Sequence, residues 1–126
     1  MRREIDVWVQ QAEIDLESAQ KIFKLDIYYV CAFLCQQAVE KMMKAVYMAK
    51  TKNLPPNIHN LRELGELIGL PKELLTKARK LSRDFVISRY PDAAGDVPAK
   101  GYDKAIAEET LGDAKELVEW LEKQLK

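Results

Sequence analysis

Residues 28–49 of the chain, YYVCAFLCQQAVEKMMKAVYMA, have the apolar spacing of a long helix with a broad buried face. Apolar side chains recur there at intervals of three and four residues, which places them on one side of an α-helix. The row comprises Tyr28, Cys31, Cys35, Ala38, Met42, Ala45 and Ala49, widened by Leu34, Val39 and Val46. We therefore expect this helix to lie at the centre of the fold.

The same spacing continues on both sides of this segment. In residues 5–23 and 107–125, apolar side chains also recur at intervals of four and three residues. The short connector 24–27 predicts that the first two helices are antiparallel neighbours. Leu74 to Val86 form another helical row, which Pro91 should end because proline disfavours helix at the preceding residue. The fold class that follows is all-α, an antiparallel up-and-down bundle.

Residues that are typical of helix ends indicate the remaining helix boundaries. Asn60 with Glu63 predicts the start of a short helix, and Gly69 its end. Asp103 is expected to cap the last helix, after an irregular loop from Tyr90 to Tyr102. The chain is thus predicted to be one domain, residues 1–126, with four long helices and one short helix.

Composition limits the function. The chain has 126 residues, 48% of them hydrophobic, and its 20 Lys and Arg balance its 20 Asp and Glu. A generic nucleic-acid coat protein needs a basic excess, so that class is excluded. No apolar run is long enough for a membrane span, and the first residues do not resemble a signal peptide, so we expect a cytoplasmic protein without membrane contact.

Metal and cofactor binding are not predicted. Cys31 and Cys35 lie one helical turn apart, and the chain has a single histidine, which leaves too few ligands for a structural zinc site. We interpret both cysteines as small buried apolar residues. No glycine-rich phosphate loop is present, and no serine or cysteine has a recognisable base partner.

Polar residues interrupt the central helix at Gln36–Lys41. One interpretation is a solvated face on which Glu40 pairs with Lys44. The other is a polar seam that fixes helix packing or holds a partner, formed by Asp15, Gln37, Glu40 and Lys41.

The segment from Arg83 to Asp92 holds two arginines six residues apart, with flanking acids. Guanidinium groups suit phosphate binding. The alternative is simple ion pairing, such as Arg89 with Asp92. His59, beside a helix start, can act in proton transfer, or else it caps or packs.

Three blocks of sequence, in order, resemble the HEPN family of helical nucleotide-binding domains. They are Trp8, Ala12–Leu16 and Ala19; Tyr29–Phe33, Gln36–Lys41 and Lys44–Ala45; and His59–Leu61, Leu64 and Ser88–Asp92. The resemblance implies an up-and-down bundle that forms a symmetric homodimer. It also implies pairing with a separate minimal nucleotidyltransferase subunit, often in two-gene toxin–antitoxin modules.

Many HEPN members are metal-independent ribonucleases, whose motif is an arginine, four to six intervening residues and a histidine, often followed by a tyrosine. This pattern places Arg83 and Asp84 first and Tyr90 last, but Ser88 stands at the histidine position. An imidazole transfers protons near neutral pH, whereas serine has no comparable pKa. The departure favours a chain that is not an enzyme on its own.

The resemblance therefore favours a non-catalytic subunit that binds a nucleotide, an RNA or another substrate. Its expected ligand-binding residues are Arg83, Asp84, Arg89, Tyr90, Asp92 and His59. Tyr90 also matches family tyrosines that accept nucleotidyl groups from the partner enzyme. Two alternatives stay open: a ribonuclease with a degenerate motif that uses Arg83 and His59, and a structural bundle without a ligand.

Overall fold

The computed structural model describes all 126 residues and contains helices and turns but no strand. The helices are α1 (Arg2–Lys24), α2 (Tyr28–Thr51), α3 (Leu61–Leu67), α4 (Lys72–Ser82), α5 (Asp84–Ile87), α6 (Pro91–Ala94) and α7 (Lys104–Lys123), with a 3₁₀ turn at Pro98–Gly101. The predicted all-α bundle is confirmed. No helix is both long and apolar enough to span a bilayer.

Helix α2 is the centre of the bundle, as its apolar row predicts. It contacts α1, α3, α4, α5 and α7. Its fully buried side chains include Cys31, Cys35, Val39, Met42 and Met43, which pack with residues of α7 such as Leu117 and Leu121. Burial of this shared apolar surface is the main force that assembles the helices.

Local signals set several helix boundaries as predicted. Asn60 Oδ1 accepts hydrogen bonds from the N–H groups of Arg62 and Glu63, at 2.9 and 3.1 Å, and so caps α3. Asp103 Oδ1 accepts from Ile106 N at 2.8 Å and caps α7. Gly69 lies at φ +78°, a conformation that glycine adopts without the steric cost of a side chain.

The fourth long helix is shorter than predicted. Helix α4 ends at Ser82, whose hydroxyl accepts a hydrogen bond from Leu61 N at 2.9 Å. Arg83 keeps helical dihedral angles, but the backbone tightens there, because Val86 N bonds to Arg83 O three residues earlier. The single-helix prediction for this segment is therefore wrong.

The predicted loop before the last helix is partly ordered. Pro91 opens α6 instead of only following a helix, since its fixed φ suits the first helical position. Gly95, at φ +75°, ends α6, and the 3₁₀ turn leads to Tyr102. These turns hold residues 90–102 against α5 and α2.

Candidate functional site

The segment from Arg83 to Asp92 presents its polar residues on two surfaces. Arg83 and Asp84 line a cleft toward α7, and neither Arg89 nor His59 contributes to that cleft. Arg89 instead joins His59 on a second, aromatic surface. The expected ligand-binding residues thus fall into two groups rather than one.

The second group forms what we call the stacking surface: Phe33, His59, Phe85, Arg89 and Tyr90. The Arg89 guanidinium carbon lies 4.8, 4.4 and 4.9 Å from the ring centres of Phe33, Phe85 and Tyr90. The His59 ring stacks on Phe85, with 4.3 Å between centres and 13° between planes. One exposed guanidinium group therefore rests on three aromatic rings, which attract it electrostatically.

Arg89 is oriented by its own helical turn. Its Nε donates a hydrogen bond to Phe85 O at 2.7 Å, and it forms no ion pair with Asp92. The predicted pairing of Arg89 with Asp92 is therefore wrong. Asp92 lies in the first turn of α6, where a carboxylate is favoured by the free N–H groups of the helix start.

A buried carboxylate orients His59. Glu40 Oε2 lies 3.0 Å from His59 Nδ1, and the side chain of Glu40 is 7% exposed against 48% for His59. Gln36 Nε2 donates to Glu40 Oε1 at 3.1 Å and to His59 O at 3.3 Å. A carboxylate at this distance from Nδ1 holds the imidazole ring in a fixed orientation.

Glu40 is also paired with a buried lysine. Lys44 Nζ donates to Glu40 Oε2 at 3.0 Å, and both side chains are almost fully buried. The predicted pair exists, but the solvated face proposed for it is wrong. Lys44 also lies 5.7 Å from the ring centre of Trp8, so a cation–π contact adds to its stabilisation.

Polar contacts continue between α1 and α2. Lys41 Nζ lies 2.5 Å from Asp15 Oδ2, and Gln11 donates to Asp15 Oδ1 at 2.8 Å. Gln37 donates to Gln36 Oε1 at 2.8 Å, which links this group to Glu40. No buried side-chain nitrogen or oxygen lacks a partner, so the desolvation of these polar groups is compensated.

The first group of ligand-binding candidates faces a cleft of about 300 Å³, which we call the α5–α7 cleft. Tyr102 OH donates to Asp84 Oδ1 at 2.5 Å within it. Burial raises the pKa of the Asp84 carboxyl, and the hydrogen bond from Tyr102 partly opposes the rise. The pKa of the Tyr102 hydroxyl is raised well above its usual range, mainly by burial and in addition by the hydrogen bond to Asp84.

Sequence reasoning missed three aromatic members of these surfaces. Phe85 has the apolar spacing of a core residue, Phe33 lies outside the apolar row of the central helix, and Tyr102 stands at the end of a loop. No local signal distinguishes them, because their partners lie on other elements. Ser88, at the histidine position of the family motif, is fully buried and donates its hydroxyl to Asp84 O.

No group of three or more histidine, cysteine, aspartate or glutamate side chains converges. Cys31 and Cys35 are free, buried thiols. The interaction of the two thiols lowers the pKa of Cys31, and the same interaction together with burial raises the pKa of Cys35.

The structure is thus a bundle of helices packed around α2. The HEPN domain family model matches residues 5–124, so the chain belongs to the HEPN family.

Two solved structures are closely similar. The crystal structure of TT1696 from Thermus thermophilus has a TM-score of 0.86 and 31% identity, and the alignment covers 98% of this chain and 99% of that one. The crystal structure of ST0689, an archaeal HEPN homologue, has a TM-score of 0.81 and 29% identity, with 97% and 98% covered. No curated protein matches the chain.

Proposed function

We propose that the chain is a non-catalytic HEPN subunit that binds a nucleotide or RNA at the stacking surface. We further propose that it acts in the cytoplasm as a homodimer, with a separate minimal nucleotidyltransferase and in a toxin–antitoxin module. The observation that carries the binding role is the exposed guanidinium of Arg89, seated on three aromatic rings.

This surface has the chemistry that nucleic acids require. A guanidinium group binds phosphate through two parallel N–H donors, and Arg89 uses only its Nε within the chain. Tyr90, with 49% of its surface exposed, offers a ring on which a base can stack. Aromatic stacking and an adjacent cation are the two components of single-strand binding.

The non-catalytic part of the proposal is supported by Ser88. Its hydroxyl is buried and directed to a backbone oxygen, so the motif position holds no group that transfers a proton to or from a ligand. The partner enzyme would then supply the metal and the catalysis. Tyr90, which is exposed beside Arg89, is the residue we propose as an acceptor of nucleotidyl groups from that partner.

Binding of a short single-stranded RNA with a 5′-hydroxyl end tests this proposal. Wild type is compared with Arg89→Gln and with Arg79→Gln, a matched control because Arg79 is exposed and forms no ion pair. We expect Arg89→Gln to weaken binding about tenfold or more, and Arg79→Gln to leave it unchanged. Equal affinities in all three proteins would refute the binding role.

A ribonuclease is the second candidate, and one observation favours it. His59 is oriented by buried Glu40 and shares the Phe85 ring with Arg89, so an imidazole and a guanidinium lie on one surface. This pair could replace the missing histidine of the motif. It predicts RNA cleavage that His59→Gln and Arg89→Gln abolish and that Arg79→Gln retains. Intact RNA over a wide pH range would dispose of this candidate.

A further inference from the structure

A broad groove lies between the last turns of α1 and the first three turns of α7, and we call it the α1–α7 groove. Its volume is about 770 Å³, and Phe23 and Leu111 form the apolar part of its lining. Along α7 it extends from Lys104 to Lys115, which is about 16 Å of helix. It shares no residue with the stacking surface or with the α5–α7 cleft.

Three lysines line this groove without an acidic partner. Lys24, Lys104 and Lys115 are exposed, and none of them forms an ion pair. Glu108 is the one carboxylate of the lining, so positive charge is in excess there. Lys104 opens α7, where the helix dipole disfavours a cation, so its charge does not help the fold.

The other side of α7 shows how the fold pairs lysines where a helix lies beside it. Lys77 and Lys80 of α4 bond to Glu116 and Glu109 of α7. Asp113 lies between them, 3.7 and 3.8 Å from the two ammonium groups. Carboxylates spaced by three and four residues on one helix thus match the lysines of its neighbour. The lysines of the α1–α7 groove have no such helix.

Gly112 is a second, independent indication of a partner. It lies in the interior of α7 and lines the groove, although glycine destabilises a helix relative to alanine. A Cβ atom added at Gly112 would meet nothing within 4 Å, so packing inside the chain does not require the glycine. A glycine without internal cause leaves room for another backbone to approach closely.

We propose that the α1–α7 groove docks an acidic amphipathic α-helix of a partner protein. The apolar stripe of that helix packs on Phe23 and Leu111, with a small residue where it crosses Gly112. Its flanking carboxylates pair with the three groove lysines, as the carboxylates of α7 pair with α4. This mode of recognition is the binding of a helix in a groove, and it goes beyond the proposed binding of nucleotide or RNA.

Fluorescence anisotropy of a labelled peptide, titrated with the full chain, tests the proposal. The peptide is an amphipathic helix of about 18 residues, long enough to follow the groove, with leucines and a central alanine flanked by glutamates. One control peptide has lysines in place of the glutamates, and another has the same composition in shuffled order. The acidic helix should bind at least about tenfold more tightly than either control. Its affinity should fall as salt is added, because salt screens exposed charges.

Paired lysine variants test the charge. Lys104→Gln combined with Lys115→Gln should weaken binding of the acidic helix about tenfold. Lys72→Gln combined with Lys123→Gln is the matched control, because both lysines are exposed, lie outside the groove and form no ion pair. This control should bind as wild type does.

Gly112→Gln tests the close approach. The added side chain should weaken peptide binding about tenfold or more, and it should raise the Tm because glutamine is a better helix former than glycine. A raised Tm also shows that the variant is folded. Ala105→Gln adds the same side chain at an exposed position of α7 outside the groove and should leave the affinity unchanged.

Several results would overturn the proposal: no binding of the acidic helix to wild type, equal binding of the lysine peptide, or full affinity in Gly112→Gln. If the paired groove variant loses 5′-hydroxyl RNA while no peptide binds, the groove belongs to nucleic acid. If Gly112→Gln converts a species of twice the chain mass to the chain mass, the occupant is a second copy. RNA binding that depends on Arg89 and not on the groove lysines keeps this surface separate from the stacking surface.

Discussion

Glu40 illustrates how a single residue links stability to the stacking surface. Its buried carboxylate accepts hydrogen bonds from Gln36 and Lys44 and also orients His59. A buried charge is tolerated only when it is paired and hydrogen-bonded. Glu40 therefore has both an internal role, toward Lys44, and an outward role, toward His59.

Replacing Glu40 by glutamine should destabilise the protein strongly. The change leaves the buried ammonium of Lys44 without a counter-charge, and we expect a loss of about 3 kcal/mol in the free energy of unfolding, measured with urea. Glu66→Gln, which breaks the exposed pair with Arg62, is the control and should cost less than about 1 kcal/mol. Similar losses in the two variants would show that the buried pair of Glu40 and Lys44 does not stabilise the fold more than an exposed pair does.

Asp84 should make stability depend on pH. Its pKa is higher in the folded chain than in the unfolded chain. As pH rises, the unfolded chain therefore loses the proton of the Asp84 carboxyl at a lower pH than the folded chain does. The stabilisation of the fold that is linked to this raised pKa is complete at pH values below the ordinary carboxyl pKa of about 3.9. It is lost as pH rises through the higher pKa of Asp84 in the folded chain.

Urea unfolding of Asp84→Asn from pH 3 to 7 measures this effect. Relative to wild type, the variant should gain stability as pH rises, with a slope of at most about 1.4 kcal/mol per pH unit. A difference between the two proteins that stays constant over this range would show that burial of Asp84 does not control its titration.

Among the helices, several ends were predictable, whereas side-chain contacts between elements far apart in the chain were not. Asn60, Gly69 and Asp103 act on backbone groups within a few residues, so the sequence pattern identifies them. The bond from Tyr102 to Asp84 spans 18 residues, and the stacking of His59 on Phe85 joins elements far apart in the chain. Such contacts depend on how helices pack, which local spacing does not specify.

Long-range packing also explains why the helix predicted through Arg83 ends at Ser82. The apolar spacing of residues 74–86 continues through Arg83 without change, whereas the tightened backbone there accompanies Ser82 bonding to Leu61, on another helix. Likewise, Arg83 and Arg89 stood together among the ligand-binding residues expected from the sequence. Only the fold shows that they belong to different surfaces.

Removal of the α7 cap tests the boundary at Asp103. Asp103→Ala removes the acceptor for the N–H of Ile106 and should cost about 1 kcal/mol in unfolding free energy. Lys104→Ala, one residue later and exposed, is the matched control and should change stability by less than about 0.5 kcal/mol. An equal effect of both substitutions would argue against capping.

For the whole molecule, exposed apolar side chains are consistent with self-association. Val7 and Ile14 lie seven residues apart on α1, and about half of each side chain's surface is exposed. We expect sedimentation velocity at micromolar concentration to give a species of twice the 14.5 kDa chain mass. A single species at the chain mass would contradict the proposed homodimer.

We propose that Arg89 binds its ligand as a planar group stacked on Phe33, Phe85 and Tyr90. The affinity of Arg89→Lys for the 5′-hydroxyl RNA, measured beside wild type and Arg89→Gln, tests this arrangement. Lysine keeps the charge but loses the planar fork, so we expect Arg89→Lys to bind nearly as weakly as Arg89→Gln. Wild-type affinity in Arg89→Lys would show that charge alone is recognised and would contradict the stacked arrangement.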